Sequence, residues 1–185
     1  TTVIFYDLIP LIFREQEKER AKKSLQKHKS MLANEVYWAK YKKDLRQYKK
    51  AKSILSISQA SKNDLIRHLP GIKPSTVEVF HLGVNLPKNK TILPNKIGKY
   101  ILYVGGIDYR KNIATLLNDF FTLKNEFPAL KLVLIGKEFG LKKQLADLGW
   151  DEIMTKNMKW KKDVIIPGFV SDSDLAGYYQ NAAVF

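Results

Sequence analysis

The order of apolar segments in residues 98–185 constrains the fold more than any other feature of the sequence. Short apolar runs at residues 100–104, 132–135 and 164–166 each lead into a glycine within two residues. Longer stretches with a helical period of apolar residues separate these runs. Strands and helices that alternate in this way form a parallel sheet with helices on its faces. We therefore predict an α/β fold for this part of the chain.

Three helices are predicted between and after these strands, over residues 112–127, 141–148 and 171–182. Ser171, followed by Asp174 three positions later, is typical of a capped helix start. A further strand is predicted to begin at residue 184. The apolar face of the first helix is predicted from residues three or four positions apart: Ile113, Leu116, Leu117, Phe120 and Leu123.

The N-terminal part of the chain repeats the strand and helix pattern less regularly. Its predicted strands cover residues 3–6, 53–57 and 76–80. A helix is predicted over residues 58–69, with Ser61 and Asp64 as its capping box. Residues 86–97 contain two prolines and no clear period, so they are predicted to link two domains, residues 1–85 and 98–185.

The positive charge of the chain is concentrated in one segment. The net charge is +14, and residues 14–52 hold 14 Lys or Arg against 5 Asp or Glu. This segment has neither glycine nor proline and is predicted to be helical. A local basic segment favours an anionic partner such as a membrane surface, a phosphate-bearing ligand or nucleic acid. The alternative is a solvated lysine-rich helix.

Aromatic residues lie among the lysines of this basic segment. Tyr37, Trp38, Tyr41 and Tyr48 suit the boundary between lipid head groups and water, which would permit peripheral membrane contact. The alternative is that the aromatic side chains pack on the N-terminal sheet while the lysines face water. The sequence leaves both interpretations open.

The composition excludes several classes of protein. The chain has no cysteine, which excludes disulfide frameworks and thiolate metal sites. No apolar run approaches the ~20 residues of a membrane span. His28, His68 and His81 have no partner at ligand spacing, so no metal site is predicted.

Residues 105–112 join the first C-terminal strand to its helix, and they are the segment with the clearest chemistry. The N-terminus of a helix attracts phosphate, because it carries unpaired N–H groups and a partial positive charge. Arg110 and Lys111 place two adjacent cations there, which is unfavourable unless an anion compensates them. A diphosphate would do so, since Arg offers a planar fork of donors and Lys a mobile charge. The alternative is that both side chains are exposed and solvated.

Six segments in this order resemble the family-four retaining glycosyltransferases of the GT-B fold. The strand and loop that end in Arg-Lys-Asn resemble the start of that family's C-terminal domain, and the remaining segments are similar to its strand ends and helix starts. The resemblance covers most of the chain except residues 14–52 and 140–163. The six segments are residues 6–10, 57–65, 81–85, 100–117, 132–136 and 167–183.

The resemblance implies two Rossmann-like domains of the GT-B type, each only partly present. It implies a sugar transfer, with retention, from a nucleoside-diphosphate sugar to a saccharide or lipid-linked acceptor. Such an enzyme would need no cofactor and no metal, and it would be cytoplasmic or peripheral on the inner face of the plasma membrane. No nucleic-acid partner is expected.

The resemblance also implies roles for individual residues. Arg110 and Lys111 would bind the donor diphosphate, together with Gly105 and Gly106. The remaining roles fall to two groups: Gly168, Phe169 and Val170 would border the nucleoside, and Asp7, Ser58 and Gly83 would face the cleft between the domains.

Three departures from the family pattern limit this prediction. Gly106 stands where many members have Arg, and Tyr6 stands where they have His. The family's acidic pair, two glutamates separated by seven residues, is absent, and we expect it beyond Phe185. We therefore interpret the chain as the central part of a longer protein and expect no catalysis from it alone. The alternative functions are a basic nucleic-acid-binding protein and a non-catalytic nucleotide-sugar-binding module.

Overall fold

The computed structural model describes residues 1–23, 35–84, 97–140, 145–146 and 149–185. The chain divides into two compact units, Thr1–Asn85 and Leu86–Phe185. All but residue 97 of the predicted linker lies outside the described residues. Each unit contains a three-stranded parallel sheet with helices, so the α/β prediction is confirmed.

The sheet of the first unit has the strand order β1-β2-β3. Phe5, Ser56 and Val79 are aligned at the carboxyl ends of the three strands. The strands are β1 (Thr2–Phe5), β2 (Ser53–Ser56) and β3 (Val77–Val79), and the helices are α1 (Ile9–Ile12), α2 (Arg14–Lys23), α3 (Glu35–Tyr48) and α4 (Gln59–His68).

The core of the first unit lies between its sheet and helices α3 and α4. Phe5 and Ile54 from the sheet form one buried cluster with Leu45 of α3 and Leu65 of α4. Tyr48 packs edge-on against Phe5, with 5.3 Å between the ring centroids. Residues 14–23 and 35–48 of the basic segment are helical as predicted, whereas residues 49–52 are not, because α3 ends at Tyr48.

The predicted capping box of α4 is wrong by one turn. Ser58 is the N-cap, and its hydroxyl accepts the backbone N–H of Ser61. Ser61 already lies inside the helix, where its hydroxyl donates to the carbonyl of Tyr6 at 2.6 Å. The helix therefore starts directly after β2, because a serine closer to the strand satisfies the first N–H groups.

The sheet of the second unit has the order β4-β5-β6, and Val184 pairs in parallel with Ile101 on the other side of β4. The first strand of this unit therefore has a neighbour on each side. One neighbour is the second strand, and the other is Val184, which follows the last helix. The strands are β4 (Tyr100–Val104), β5 (Lys131–Ile135) and β6 (Val164–Gly168), and the helices are α5 (Ile113–Leu123), α6 (Trp150–Lys156) and α7 (Asp172–Asn181).

The helices of the second unit correct the sequence prediction in two places. Helix α5 ends at Leu123, four residues before the predicted end, and Leu123 is exposed. Phe121 is buried instead, because it packs beside Phe120 in a cluster that also contains Met154 of α6. Most of the helix predicted over residues 141–148 lies outside the described residues. The Ser171 cap of α7 is confirmed, since its hydroxyl accepts the N–H of Asp174.

Candidate donor site at the carboxyl edge of the second sheet

The three strands of the second unit end in line with one another. Val104 is aligned with Ile135, and Ile135 with Gly168. Neighbouring strands lie about 4.8 Å apart, so the loops that follow them are close neighbours at one edge. Because β4 is flanked by β5 and by Val184, the strand order reverses at β4, and ligands bind beside such a reversal in open parallel sheets.

Hydrogen bonds fix the backbone of the loop that connects β4 to α5. The N–H of Gly105 donates to the carbonyl of Ile135, and the Tyr103 hydroxyl donates to the carbonyl of Gly106 at 2.8 Å. Burial, Glu138 and Asp108 together raise the pKa of Tyr103, so the hydroxyl stays protonated and keeps donating. The loop is therefore held by one hydrogen bond that it donates to β5 and by another that it accepts from Tyr103 of β4.

The end of this loop is a short 3-10 helix, Tyr109–Lys111, followed by the N-cap of α5 at Asn112. Asn112 has a left-handed conformation with φ of 51° and makes no side-chain cap hydrogen bond. Asparagine adopts this conformation more readily than most residues. The first turn of α5 thus begins without the side-chain acceptor that usually satisfies its N–H groups.

Arg110 is held by a carboxylate of the same loop. The two oxygens of Asp108 accept from Nε and Nη2 of Arg110 at 2.8 and 2.5 Å, and Oδ1 also accepts the backbone N–H of Arg110. The Arg110 hydrogen bonds lower the pKa of Asp108. Asp108, which the predicted site did not include, therefore compensates charge on Arg110 in this structure. Lys111 is exposed.

Two charged residues after β5 complete this edge, and the sequence prediction missed both. The carboxylate of Glu138 accepts the backbone N–H of Ile107. The Lys137 ammonium lies 5.5 Å from the centroid of the Phe169 ring. The segment Lys137–Gly140 thus contacts the loops that follow both β4 and β6. The glycine that ends β5 was the available signal, because it marks this segment as a strand-end loop at the same edge.

The predicted nucleoside residues follow β6. Gly168 has φ of 80°, a conformation that favours glycine. The Phe169 side chain is 74 % exposed, whereas Val170 packs against the cluster around Tyr100. Phe169 is thus the aromatic face that this loop presents to solvent.

Comparisons with known proteins address the same segment. The family model described as "Glycosyl transferases group 1" matches residues 87–185, more than half of the chain. The chain belongs to the glycosyl transferases group 1. No curated protein matches the chain.

The fold of this group 1 chain is similar to that of TarM, and two further solved structures give TM-scores below 0.5. The crystal structure of TarM matches with a TM-score of 0.51 and 17 % identity, over 72 % of this chain and 24 % of that chain. The S. aureus TarM mutant in complex with fondaparinux, alpha-GlcNAc-glycerol and UDP gives 0.46 and 13 %, over 78 % and 26 %. The lipopolysaccharide outer core galactosyltransferase WaaB gives 0.47 and 16 %, over 97 % and 46 %. The chain thus spans about a quarter of the TarM chains and less than half of the WaaB chain.

The first unit of the group 1 chain places the other predicted site residues at the carboxyl edge of its own sheet. Asp7 follows β1, and its carboxylate accepts the N–H of Ile9 at 2.9 Å. Ser58 follows β2 and caps α4. Gly83 lies in an exposed segment after β3, with open space where a Cβ would be. A cleft between the units remains a prediction for these three residues.

The described residues contain no group of three or more His, Cys, Asp or Glu that is placed to hold a metal ion. In the same part of the chain, no helix combines the length and apolarity required to cross a membrane.

The aromatic residues of the basic segment take part in packing. Trp38 is only 8 % exposed and has the Arg14 guanidinium 4.2 Å from its ring centroid. Tyr41 and Tyr48 pack against the core of the first unit. This arrangement favours the interpretation in which the aromatic side chains support the N-terminal sheet. Lys40, Lys43 and other cations of α3 are exposed.

Proposed function

We propose that the intact protein is a retaining glycosyltransferase that uses a nucleoside-diphosphate sugar. The observation that supports this most directly is the position of the loop with Arg110 and Lys111. It connects β4 to the start of α5, where the strand order of a parallel sheet reverses, in a segment that matches the group 1 family. Helix N-termini at such positions are suited to phosphate groups.

In the proposed reaction, the loop stabilises the leaving group. The bond between the anomeric carbon and the phosphate oxygen breaks, and the acceptor hydroxyl oxygen forms a bond to the anomeric carbon at the same face of the sugar while its proton passes to the departing diphosphate. The departing nucleoside diphosphate carries additional negative charge, which Arg110, Lys111 and the first turn of α5 would offset. Fixed cations aimed at developing charge often supply a large part of catalysis. No metal and no cofactor enter this proposal.

The nucleoside and the acceptor are assigned to different edges. The base would lie beside Gly168, Phe169 and Val170, where the exposed Phe169 ring offers a stacking surface. The acceptor, a saccharide or a lipid-linked saccharide, would approach the strand ends of the first unit. We propose a role in polysaccharide or glycolipid synthesis at the cytoplasmic face of the membrane.

The test measures binding of UDP, GDP and ADP to the intact protein by titration calorimetry. Replacing Arg110 and Lys111 with alanine removes two charge-assisted contacts, each worth about 1.5–3 kcal/mol, so affinity is expected to fall at least about ten-fold. The control replaces Lys161 and Lys162 with alanine, because these exposed lysines of the same unit give the same loss of charge. Equal weakening by both pairs would mean that only net charge matters and would contradict the assigned site.

Two other outcomes point to the alternative functions. If none of the nucleotides binds, and short DNA or RNA binds with a steep salt dependence, the basic segment is the functional feature. If a nucleotide binds but no sugar is transferred, the protein is a non-catalytic binding module. Where transfer occurs, the anomeric configuration of the product, measured by NMR, tests the proposed retention.

A further inference from the structure

We propose that Glu138 is an internal anion that occupies the Ile107 N–H until a donor phosphate displaces it, and that it thereby lowers the affinity for nucleoside diphosphates. The inference rests on the proposed function and assigns an affinity-tuning role to a residue outside the motif that suggested that function. It begins from the hydrogen bond between the Glu138 carboxylate and the N–H of Ile107.

The carboxylate fills the space that a side chain at position 106 would need. A Cβ built on Gly106 would lie 2.7 Å from one oxygen of Glu138 and 2.9 Å from the other. The absence of a side chain at Gly106 therefore admits the carboxylate to the loop backbone. Glycine commonly permits this kind of close approach.

Glu138 is also fixed from its own side. The preceding Gly136 has its α-carbon so close to the first loop that an added Cβ would lie 2.0 Å from the carbonyl oxygen of Gly105. The following Phe139 is buried, and its ring packs against Tyr103 at 5.9 Å between the centroids. Because Gly136, two residues before Glu138, and Phe139, directly after it, are both anchored, the carboxylate is held against the loop.

The consequence for a ligand is electrostatic. A backbone N–H makes one strong hydrogen bond, so a phosphate oxygen can use the N–H of Ile107 only if Glu138 gives it up. A ligand that binds beside the carboxylate without displacing it meets a like charge, at a cost in affinity. A diphosphate carries more charge than the single carboxylate and can replace it, but this competition lowers the affinity of the diphosphate.

The decisive variant is Glu138→Gln in the intact protein. The amide oxygen can still accept from Ile107, so the loop geometry is retained while the negative charge is lost. We expect the affinity for the best-binding of UDP, GDP and ADP to rise roughly five-fold at low ionic strength, and the gain to shrink as added salt screens the charge. The control is Glu126→Gln, since Glu126 is an exposed glutamate just after the end of α5.

Each outcome of the titration decides between the possibilities. An affinity that rises in Glu138→Gln and not in Glu126→Gln supports the proposal. An unchanged or reduced affinity, with wild-type thermal stability, overturns it and leaves the proposed function intact. If Glu138→Gln loses thermal stability, Glu138→Asp is the second test, because it keeps the negative charge. No gain in affinity in Glu138→Asp then supports the proposal, and a gain overturns it. If neither the wild type nor any variant binds a nucleoside diphosphate, the proposed function fails and this inference fails with it.

Discussion

At the scale of single residues, the loop after β4 neutralises part of its own charge. Asp108 holds Arg110 through two side-chain hydrogen bonds and one backbone hydrogen bond. This arrangement fixes the orientation of the guanidinium, which lowers the entropy lost when a ligand binds. It also means that a ligand at Arg110 must share the cation with Asp108.

The Asp108 carboxyl is expected to titrate below the usual Asp value of about 3.9, because hydrogen bonds from Arg110 favour its ionised form. Since the folded pKa is lowered, the stabilisation is complete above the ordinary pKa and is lost as the pH falls through the folded pKa. An NMR titration of the carboxyl carbon measures this directly. Arg110→Ala should raise the pKa of Asp108 clearly. Lys111→Ala should raise it only slightly, because Lys111 acts on the carboxylate through its charge alone. Equal effects of the two variants would contradict the proposed hydrogen bonding.

At the scale of secondary-structure elements, a buried lysine joins α5 to the segment before β6. Lys124 is fully buried, and its ammonium donates to the carbonyls of Pro128 and Leu130. The same group lies 3.0 Å from an Asp163 oxygen and 4.5 Å from the Trp160 ring centroid. A buried cation persists only when paired and hydrogen-bonded, and these four contacts meet that requirement.

Asp163→Ala is expected to destabilise the protein by about 3–5 kcal/mol, because it leaves the Lys124 charge buried without its counter-ion. The measurement is the urea midpoint of unfolding. The matched control is Glu152→Ala, which breaks the exposed ion pair between Glu152 and Lys156 and should not shift the midpoint detectably. Similar shifts of the urea midpoint for the two variants would show that the buried Lys124–Asp163 pair contributes no more to stability than the exposed pair.

At the scale of the whole molecule, the excess charge belongs mainly to one segment of the first unit. Three of the four aromatic residues predicted to suit a membrane contact, Trp38, Tyr41 and Tyr48, instead pack against the protein. Among the described residues of the basic segment, the exposed lysines of α3 remain available for an electrostatic contact with an anionic surface. The attraction in such a contact decays over about a Debye length from the surface, and added salt weakens it further.

Binding to vesicles tests this contact in the intact protein. Lys40→Glu/Lys43→Glu should lower binding to vesicles that contain anionic lipid at least about ten-fold, since each basic residue near such a surface contributes about 1 kcal/mol. Lys161→Glu/Lys162→Glu makes the same charge change in the second unit and is expected to have little effect. Vesicles without anionic lipid should bind none of the proteins, and equal losses for both pairs would argue against a contact through α3.

The sequence by itself determined the class of fold and the position of the candidate loop. Alternating apolar runs, helical periods and glycines are local patterns, and they correctly predicted the parallel α/β class, strand β4 and the Ser171 cap. Local patterns were less reliable at helix boundaries. The cap of α4 shifted to Ser58, and Phe121 replaced Leu123 in the core, because packing partners decide between residues of similar propensity.

Only the tertiary structure decided which charges meet at the candidate site. Glu138 is far from Ile107 in sequence, and no local pattern could pair its carboxylate with that N–H. Lys137 and Phe169 are likewise brought together only because β5 and β6 end side by side, with Ile135 aligned with Gly168. The physical reason is that hydrogen bonds and charges act across space. Residue patterns place the strand ends, and the sheet then decides which loops become neighbours.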